Sequence, residues 1–470
     1  MPMNRRSFIA NFSLASGGLA LACGALGRRA QVLAQTGDIS ALRAAGYGPI
    51  APMAAKNTGE VLLALPKGFE YTIFGKIGSE MADGRKVPPR HDGMWAFKVG
   101  KETRLIRNHE VVNGNVPREG SAIGTSNHYD PAAGGGTTTV VLDNKTRTAE
   151  REFVSLSGTL VNCAGGPTPW GSWISCEETT IGKEIRTTAA GAKIGGFEKP
   201  HGYCFEVPAS ANGPVPAVPL TAMGRFVHEA VAVDEKTGVV YLTEDAGTSG
   251  FYRFLPAREK QLAQGGKLQM LAVKGWEGYD TRTNQAQGDS VLATWVDIDD
   301  PDPASAGVDP LAVYKQGAKK GGAIFNRLEG CCIDEEGRVY FVSTAGGNAK
   351  SGQIWAYIPT SEDEGELKLL FESPSKELMY MPDNICHLPK SEMLLICEDG
   401  DYPGTDAKNH LRILTPEGLV SDLAQNVSKD APRSEFAGAC FAPDGKTLFV
   451  NLQTAGVTLA IWGPFNKFKS

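Results

Sequence analysis

The sequence lacks the short motifs that identify several common enzyme classes. It contains no His-x-x-x-His or Cys-x-x-Cys zinc pattern, no Gly-x-Ser-x-Gly nucleophile elbow and no Gly-x-x-x-x-Gly-Lys-Ser/Thr phosphate loop. These absences argue against the common zinc hydrolases, the serine hydrolases and the phosphate-loop nucleotide enzymes. A catalytic site, if there is one, has to be built from residues that are dispersed along the chain.

Long apolar runs and basic charge are also scarce. The apolar stretch at about residues 12–26 is too short for a membrane span, and its side chains are mostly small. We therefore expect no stable membrane anchor. The 470-residue chain has a formal net charge of −6, and residues 1–34 carry four arginines and no acid, so removing them takes the charge to −10. Such an anionic body argues against a nucleic-acid partner and suits a protein that holds cations.

Turn-forming residues, by contrast, are abundant. The chain has 56 glycines and 28 prolines beside 41% hydrophobic residues, which indicates a globular protein with many tight turns and favours a β-rich fold over a helix bundle. Eight of the nine cysteines lie beyond residue 34, mostly in apolar strand-like runs where a buried small side chain is the simplest interpretation. Disulfides are possible, but the sequence cannot assign them.

The N-terminus has the features of an export signal. Arg5 and Arg6, followed by Phe8 and Ile9, resemble a twin-arginine (Tat) signal, and the apolar stretch after them leads to an A-x-A-like end at Ala34. We predict a Tat signal peptide over residues 1–34, the Tat translocase as partner during export, and a periplasmic or secreted protein. An uncleaved anchor is the alternative.

A hairpin-based unit repeats along the rest of the chain. Each unit has an apolar strand, a turn, a second apolar strand, and then a third strand, predicted at 137–142, 202–207, 250–255, 353–358, 411–415 and 457–462. The second strands end near residues 110, 178, 245, 344, 399 and 453, and one interval is longer than the others. We predict an all-β fold, a six-bladed β-propeller over 86–470 with an inserted loop/helix segment at about 256–320, after a lead-in segment at 35–85. A pair of β-sandwiches is the alternative.

Acidic residues recur at one position of these units. The start of the first strand and the end of the second lie at the same edge of a hairpin, and in a propeller that edge surrounds the central channel. The second strands end in Asn108 and Glu110, Glu177 and Glu178, Glu244 and Asp245, and Glu398 and Asp399; the first strands start at Asp92, Cys163, Glu229, Glu329, and Asp383 with Asn384, and Glu435 is a looser candidate. Like charges this close cannot all stay ionised without cations between them, so the pattern predicts bound metal ions.

The side-chain types indicate which ions these are. A high density of carboxylate oxygens favours Ca²⁺, and a thiolate such as Cys163 favours a softer transition metal beside it. Arg327 precedes Glu329 by two residues, so its guanidinium lies near the same channel mouth, where it can bind a phosphate oxygen or pair with a carboxylate. Since neighbouring strand residues point to opposite faces, we expect His109 and His228 to pack between blades rather than bind metal.

At these residues the chain resembles the PhoX-type alkaline phosphatases, a Tat-exported bacterial family. The segments that carry the resemblance are Arg107-Asn108-His109-Glu110, Asn162-Cys163-Ala164-Gly165-Gly166 through Trp170-Gly171, Cys176-Glu177-Glu178, Gly224 through Ala230, Asn326-Arg327-Leu328-Glu329, Pro382-Asp383-Asn384, and Glu435 through Val450. The resemblance implies a six-bladed propeller that hydrolyses phosphomonoesters at a cluster of two ferric irons (Fe³⁺) and several Ca²⁺ ions with a bridging oxo group.

The resemblance also implies roles for individual residues. Cys163 would be an iron ligand, and Arg327 would bind the phosphoryl oxygens of a small phosphate ester. The carboxylates implied to bind iron, calcium or both are Glu178, Glu229 and Glu329. Weaker correspondences, as calcium ligands, are Asn108, Glu110, Glu244, Asp245, Asp383 and Asn384. The family tends to have Arg-Pro-Glu where this chain has Leu328 in the middle, so no proline fixes the backbone after the arginine.

Three functions stay open at this point. The prediction is an exported, metal-dependent alkaline phosphatase that acts in the central channel of the propeller. A calcium-dependent esterase or lactonase propeller is one alternative, and it would need neither iron nor a cysteine ligand. The other is a non-catalytic binding propeller whose metals are structural.

Overall fold

The computed structural model describes residues 39–111, 126–187, 191, 193–402 and 407–469. The predicted signal peptide at 1–34 lies outside these residues. Within them the chain is mostly strand, with one α-helix, α1 (Ala312–Ala318), and short 3-10 turns at Ile39–Leu42, Thr221–Met223, Leu262–Gln264, Ala304–Gly307 and Phe465–Lys467. Among these helices, none has the length and apolar character needed to cross a bilayer.

The strands follow one another in antiparallel runs, which agree with the hairpin units seen in the sequence. Before the first unit come β1 (Ile50–Met53), β2 (Leu63–Pro66) and β3 (Glu70–Phe74). The first unit has β4 (His91–Val99), β5 (Glu102–His109), β6 (Gly135–Asp143) and β7 (Thr148–Thr159). The second has β8 (Asn162–Pro167), β9 (Ser172–Glu177), the two-residue strands β10 (Arg186–Thr187) and β11 (Lys193–Ile194), and β12 (Cys204–Pro208).

The later units repeat the pattern. The third has β13 (His228–Val233), β14 (Val240–Glu244), β15 (Phe251–Pro256), β16 (Gly266–Val273) and β17 (Ser290–Asp297). The fourth has β18 (Leu328–Ile333), β19 (Val339–Ser343), β20 (Gln353–Pro359) and β21 (Gly365–Glu372). The fifth has β22 (Pro382–His387), β23 (Leu394–Glu398), β24 (His410–Leu414) and β25 (Val420–Asn426), and the sixth has β26 (Phe436–Phe441), β27 (Thr447–Leu452) and β28 (Val457–Trp462).

The first strands of the six units form a closed ring. β4 packs against β8, β8 against β13, β13 against β18, β18 against β22, β22 against β26, and β26 against β4. From this ring the further strands of each unit follow outward in sequence order. The arrangement is propeller-like, which confirms the all-β prediction and rules out a pair of sandwiches.

The units do not form six separate sheets. The third and fourth share one nine-stranded sheet, because β17, at the outer edge of the third unit, pairs with β21 of the fourth. The segment at 35–85 contributes strands as well. Its β3 pairs with β28 and completes the last sheet, and its β1 and β2 extend the fifth sheet through β25.

The tight turns between first and second strands have a common chemistry. Asp234, Asp334 and Asp444 each accept a hydrogen bond from the backbone N–H two residues further on, at 2.9, 3.1 and 3.0 Å. Gly238 and Gly445 close two of these turns at φ values of +71° and +68°, which favour glycine. The Asp/Gly spacing in the sequence therefore specifies the hairpins locally.

The hydrophobic core lies between neighbouring sheets. Between the fourth and fifth units, Val342, Ile354 and Phe371 pack with Ile396 and Val420, and all five are 0% exposed. Each such side chain stabilises the fold by about 1.5–3 kcal/mol through removal of its apolar surface from water. Because every unit packs against two neighbours, the ring of first strands is held rigidly around the channel.

Candidate metal centre

Each first strand carries a β-bulge close to its beginning. The register against the second strand shifts between His91 and Met94, Asn162 and Gly165, His228 and Val231, Leu328 and Cys331, Pro382 and Ile385, and Ala437 and Cys440. A bulge places two residues opposite one and changes the direction of the side chain that follows the last regular pair. In five of the six units that residue is one of the polar residues singled out in the sequence: Asp92, Cys163, Glu229, Glu329 and Asp383.

The acidic pairs at the ends of second strands divide between two environments. The first acid of each pair is 0% exposed and accepts hydrogen bonds within its own unit and the connections next to it. Glu177 accepts from the N–H groups of Leu160, Gly202 and Tyr203, Glu244 from Gly250 N–H and the Tyr252 hydroxyl, and Glu398 from Tyr380 N–H, His410 N–H and Arg412. The second acids, Glu178, Asp245 and Asp399, are partly exposed.

Three overlapping groups of ligand atoms lie on one side of the ring. The groups are Cys163 with Glu178 and Glu229, Glu178 with Asp245 and Glu329, and Glu229 with Glu329 and Asp383, and the ligand atoms within each lie within 4.8 Å of one another. Six predicted site residues, from six different strands or strand ends, are thus brought together. Only the closed ring explains this, since 220 positions separate Cys163 from Asp383 in the sequence.

Glu229 shows most directly that this group of side chains fits a cation. Its side chain is 0% exposed, and apart from a contact with the Cys163 thiol neither carboxylate oxygen has a hydrogen-bond donor among the described residues. Burial and the neighbouring Asp383 and Glu178 raise the pKa of Glu229 well above its usual value. A buried carboxylate without donors is costly unless a proton or a metal ion compensates it. The oxygen-rich donor set with one sulfur therefore fits metal ions.

The same forces act on the neighbouring groups. Burial, together with nearby carboxylates, raises the pKa values of Glu178, Glu329 and Asp383, and it raises that of the Cys163 thiol as well. In the absence of cations these residues would therefore hold protons that metal binding has to displace.

Arg327 lies at the edge of this group. Its Nε and Nη2 donate to the two carboxylate oxygens of Asp245 at 3.0 and 2.9 Å, and Nη2 also donates to Glu329 Oε1 at 2.7 Å. The Arg327 side chain is 36% exposed, whereas those of Asp245 and Glu329 are 10% and 6% exposed. Nη1 has no hydrogen-bond partner among the described residues, so the guanidinium can still donate toward the open side.

The backbone of Arg327 is fixed although leucine follows it. Arg327 has a φ of +51°, its N–H donates to Ala246 O at 2.8 Å, and its carbonyl accepts from Thr344 N–H at 2.9 Å. Leu328 is 0% exposed and belongs to the core between units. These contacts hold the arginine in place without a proline after it.

A second cluster of acids continues around the ring. Gln453 Nε2 donates to both Asp92 and Glu110 at 2.8 Å, so a single amide bridges the two carboxylates. Burial, with a further contribution from Asp399, raises the pKa of Glu110 to about 7, and burial together with Asp399 raises that of Glu435. Asp92, Asp399 and Glu435 occupy this edge in the repeat pattern of the sequence, although they are not among the predicted ligands. Their position in the repeat was the signal.

Two predicted ligands are used elsewhere in the structure. The Asn108 amide donates to the carbonyls of Cys163 and Ala164 at 3.1 and 2.7 Å, and its oxygen accepts from Trp173 and Ser175. Glu244 belongs to none of the three groups. Asn384 holds an intermediate position, because its amide donates to Asp383 at 3.0 Å and its oxygen accepts from Gly438 N–H.

Beyond the bulges the first strands present small or apolar side chains to a cavity of about 480 Å³, including Ala164, Ala230 and Ala439. Charged residues of the turns that follow these strands, such as Asp234 and Lys236, also line this cavity. The acidic groups thus occupy one end of the channel. The channel changes from acidic to apolar along its length because the bulges carry acids and the first-strand residues after them are small or apolar.

The family model of alkaline phosphatase PhoX matches residues 45–149 and 145–456. Pseudomonas fluorescens PhoX in complex with vanadate, a transition state analogue, is similar with a TM-score of 0.64 and 18% identity, over 88% of this chain and 97% of that chain. A gluconolactonase from Xanthomonas campestris aligns with a TM-score of 0.39 and 11% identity, over 89% of this chain and 98% of that chain. A search of the curated proteins finds no match.

The family match decides among the functions that the sequence left open. It favours phosphate ester hydrolysis over a lactonase and over a non-catalytic binding protein, and the family model spans most of the chain. The chain belongs to the alkaline phosphatase PhoX family and is a phosphatase.

Proposed function

We propose that the protein hydrolyses phosphomonoesters at an iron and calcium centre in the channel. The observation that carries the proposal is Glu229, a fully buried carboxylate without donors that lies beside the Cys163 thiol. Cys163 and the carboxylates of Glu178 and Glu229 form the donor set suited to Fe³⁺, because only this group includes sulfur.

The remaining groups offer only oxygen atoms and suit Ca²⁺. They comprise Asp245, Glu329 and Asp383, with Glu110 and Asn384 at their margin. Asn108 and Glu244 hold the surrounding structure through their hydrogen bonds, and we assign them no metal. When bound, such ions supply Lewis acidity toward phosphoryl oxygens and lower the pKa of the attacking water.

The protein's own residues then bind and orient the substrate. Arg327 is a permanent cation, since Glu329 and Asp245 raise its pKa although burial opposes this. The two carboxylates hold Nε and Nη2, so Nη1 is the donor aimed at a phosphoryl oxygen, and its charge balances the charge that grows on the phosphoryl group. The Arg327 side chain is 36% exposed beside the buried Glu329, which supports binding of the ester at the channel mouth.

The experiment combines metal analysis with activity. Purified protein should contain iron and calcium and should hydrolyse an aryl phosphate, and Glu329→Gln should reduce kcat/KM by about 100-fold or more because a metal ligand and a partner of Arg327 are lost together. Glu335→Gln, in an exposed turn at the other end of the same strand, is the matched control and should leave activity unchanged. Full activity in Glu329→Gln, or protein that is active without iron, would contradict the proposal.

We also propose a six-bladed propeller over 86–470, to which the preceding segment adds β1 and β2 in the fifth blade and β3 in the sixth, and export through the Tat pathway. The ring of six first strands supports the blade number, with the third and fourth blades fused through β17 and β21. Arg5, Arg6 and the apolar stretch that follows support the export signal. Determination of the N-terminus of the exported chain tests the signal, since a mature protein that still carried residues 1–34 would contradict it.

A further inference from the structure

Two buried thiols face each other in the second unit, in strands β9 and β12. Cys176 in β9 and Cys204 in β12 are partners in the antiparallel register, with their Sγ atoms 3.6 Å apart. Both residues are 0% exposed. Neither thiol belongs to the three groups of ligand atoms or takes part in the proposed reaction. Cys176 lies only two residues before Glu178 in the sequence.

The pairing type is the one that brings cross-strand side chains closest. Glu177 N–H donates to Tyr203 O at 3.0 Å, which makes Glu177 and Tyr203 a hydrogen-bonded pair. The adjacent pair, Cys176 and Cys204, is therefore non-hydrogen-bonded, and in such pairs the Cα atoms lie about 4.5 Å apart. That spacing falls within the range that a disulfide spans, about 4.4–6.8 Å.

We propose that Cys176 and Cys204 form a cross-strand disulfide under oxidising conditions. A disulfide needs an S–S distance of about 2.0 Å, so small side-chain rotations of the two cysteines bridge the remaining gap. The backbone of the three-stranded sheet β12–β9–β8 sets the register and the pair type, and these bring the two sulfur atoms into contact. The proposal is independent of the phosphatase assignment.

The reaction balances with a small disulfide as oxidant. The sulfur of one cysteine attacks the reagent disulfide and displaces one thiolate, forming a mixed disulfide. The sulfur of the other cysteine then attacks the protein-bound sulfur and displaces the second thiolate. The two thiol protons pass to the leaving thiolates, so the protein loses two hydrogen atoms and the reagent is reduced to two thiols.

The oxidant can reach the two thiols when the edge of the sheet opens or while the chain is still folding. β12 is the outermost strand of its sheet, so opening of this edge exposes Cys204 before the rest of the unit unfolds. Once formed, the bond would link β9 to β12 across a separation of 28 residues and would restrict the unfolded chain. The strand that leads to Glu178 would then be covalently held.

The test compares oxidised and reduced full-length protein. Reduced, denatured chain is refolded with calcium and iron salts in oxidised glutathione or in reduced dithiothreitol, alkylated, and digested without reduction. We expect a Cys176–Cys204 linked peptide and a mass lower by two hydrogen atoms in the oxidised sample only. We also expect its melting temperature to be several degrees higher than that of the reduced sample.

Three variants separate this bond from general effects of thiol loss. Cys176→Ala and Cys204→Ala should each abolish the linked peptide and the shift in melting temperature. Cys440→Ala, which removes another 0% exposed thiol from a strand, should retain both. Absence of the linked peptide after oxidative refolding, or an equal shift in Cys176→Ala, would overturn the proposal, and refolding removes burial of the thiols as a reason for failure.

Discussion

At the scale of single residues, the two neighbouring acids at the end of a second strand have different roles. In the pairs Glu177–Glu178 and Glu244–Asp245, the first carboxylate accepts hydrogen bonds inside the blade and the second faces the channel groups. Strand alternation is the physical reason, because neighbouring side chains point to opposite sides. The sequence showed that acids recur here. Which acid of a pair has donors could only be read from the tertiary structure.

Replacement of Arg327 tests whether the shape of its guanidinium group, and not only its charge, matters at the channel mouth. Arg327→Lys keeps the positive charge but loses the fork that holds Asp245 and Glu329 while leaving Nη1 free. We expect a rise in KM and a fall in kcat/KM by about 10–100-fold in an aryl phosphate assay. Arg433→Lys, whose side chain is 66% exposed and whose ion pair lies on the surface, should match the wild type. Equal kinetics for Arg327→Lys and wild type would show that the fork has no role.

His201 gives a pH-dependent contribution to stability. It is 0% exposed, with Nδ1 2.6 Å from Glu177 and Nε2 3.5 Å from Asp130. Burial opposes the charged form, but Glu177 and Asp130 raise the pKa of His201 to about 9. Since the unfolded value is about 6.5, the stabilisation is fully present below that pH and is lost as the pH rises through about 9.

The measurement is the melting temperature of wild type and His201→Gln from pH 6 to 10. The advantage of the wild type should be largest at the acidic end of this range and should shrink as the pH approaches 10. His128→Gln replaces an exposed histidine and should follow the wild type throughout. An advantage that increases with pH would contradict the assignment of a charged His201.

At the scale of elements, the bulges decide what the first strands present. Without them, regular alternation would continue and the residue after each last regular pair would face a neighbouring sheet. The sequence predicted the strands well, because the Asp/Gly turns and apolar runs are local signals. The bulges were not predicted, since they depend on how neighbouring first strands crowd around the axis.

Gly438 shows how closely these strands approach. It lies in the bulge of β26 at φ +64°, and a Cβ there would come within 2.5 Å of Asp92 O. Gly438→Ala should lower the free energy of unfolding by about 1–3 kcal/mol or more through backbone strain and this contact. Gly100→Ala has a similar φ of +59° with no atom within 4 Å, so it carries the strain alone. Denaturant unfolding should rank Gly438→Ala as the less stable variant, and equal losses would show that the contact is relieved.

At the scale of the whole molecule, the ring of first strands brings buried carboxylates close together, and bound cations would balance their charge. Removal of metal should lower the melting temperature, because the buried carboxylates then lose their counterions. Calcium should restore it after treatment with a chelator, as followed by calorimetry.

Glu229→Gln is the informative variant for this effect. Metal-free wild type has to take up a proton at the buried Glu229 carboxylate when it folds, and glutamine removes that cost. Glu229→Gln should therefore raise the stability of the metal-free form relative to metal-free wild type, and it should reduce the stabilisation that added metal provides. Glu335→Gln, on an exposed turn, should respond to chelator and calcium like the wild type. Identical melting temperatures of wild type with and without chelator would show that metals do not hold the ring together.

The amino-acid sequence by itself determined the class of fold, the hairpin units and the kind of chemistry. Those are local properties: apolar alternation, Asp/Gly turns, and acids at one repeated position. Tertiary structure alone decided which side chains meet. It gave Asn108 and Glu244 hydrogen-bond partners outside the three groups, linked Asp92 to Glu110 through Gln453, joined two units through β17 and β21, and set Cys176 against Cys204. Such juxtapositions depend on bulges, register and packing across hundreds of residues, and no short-range pattern encodes them.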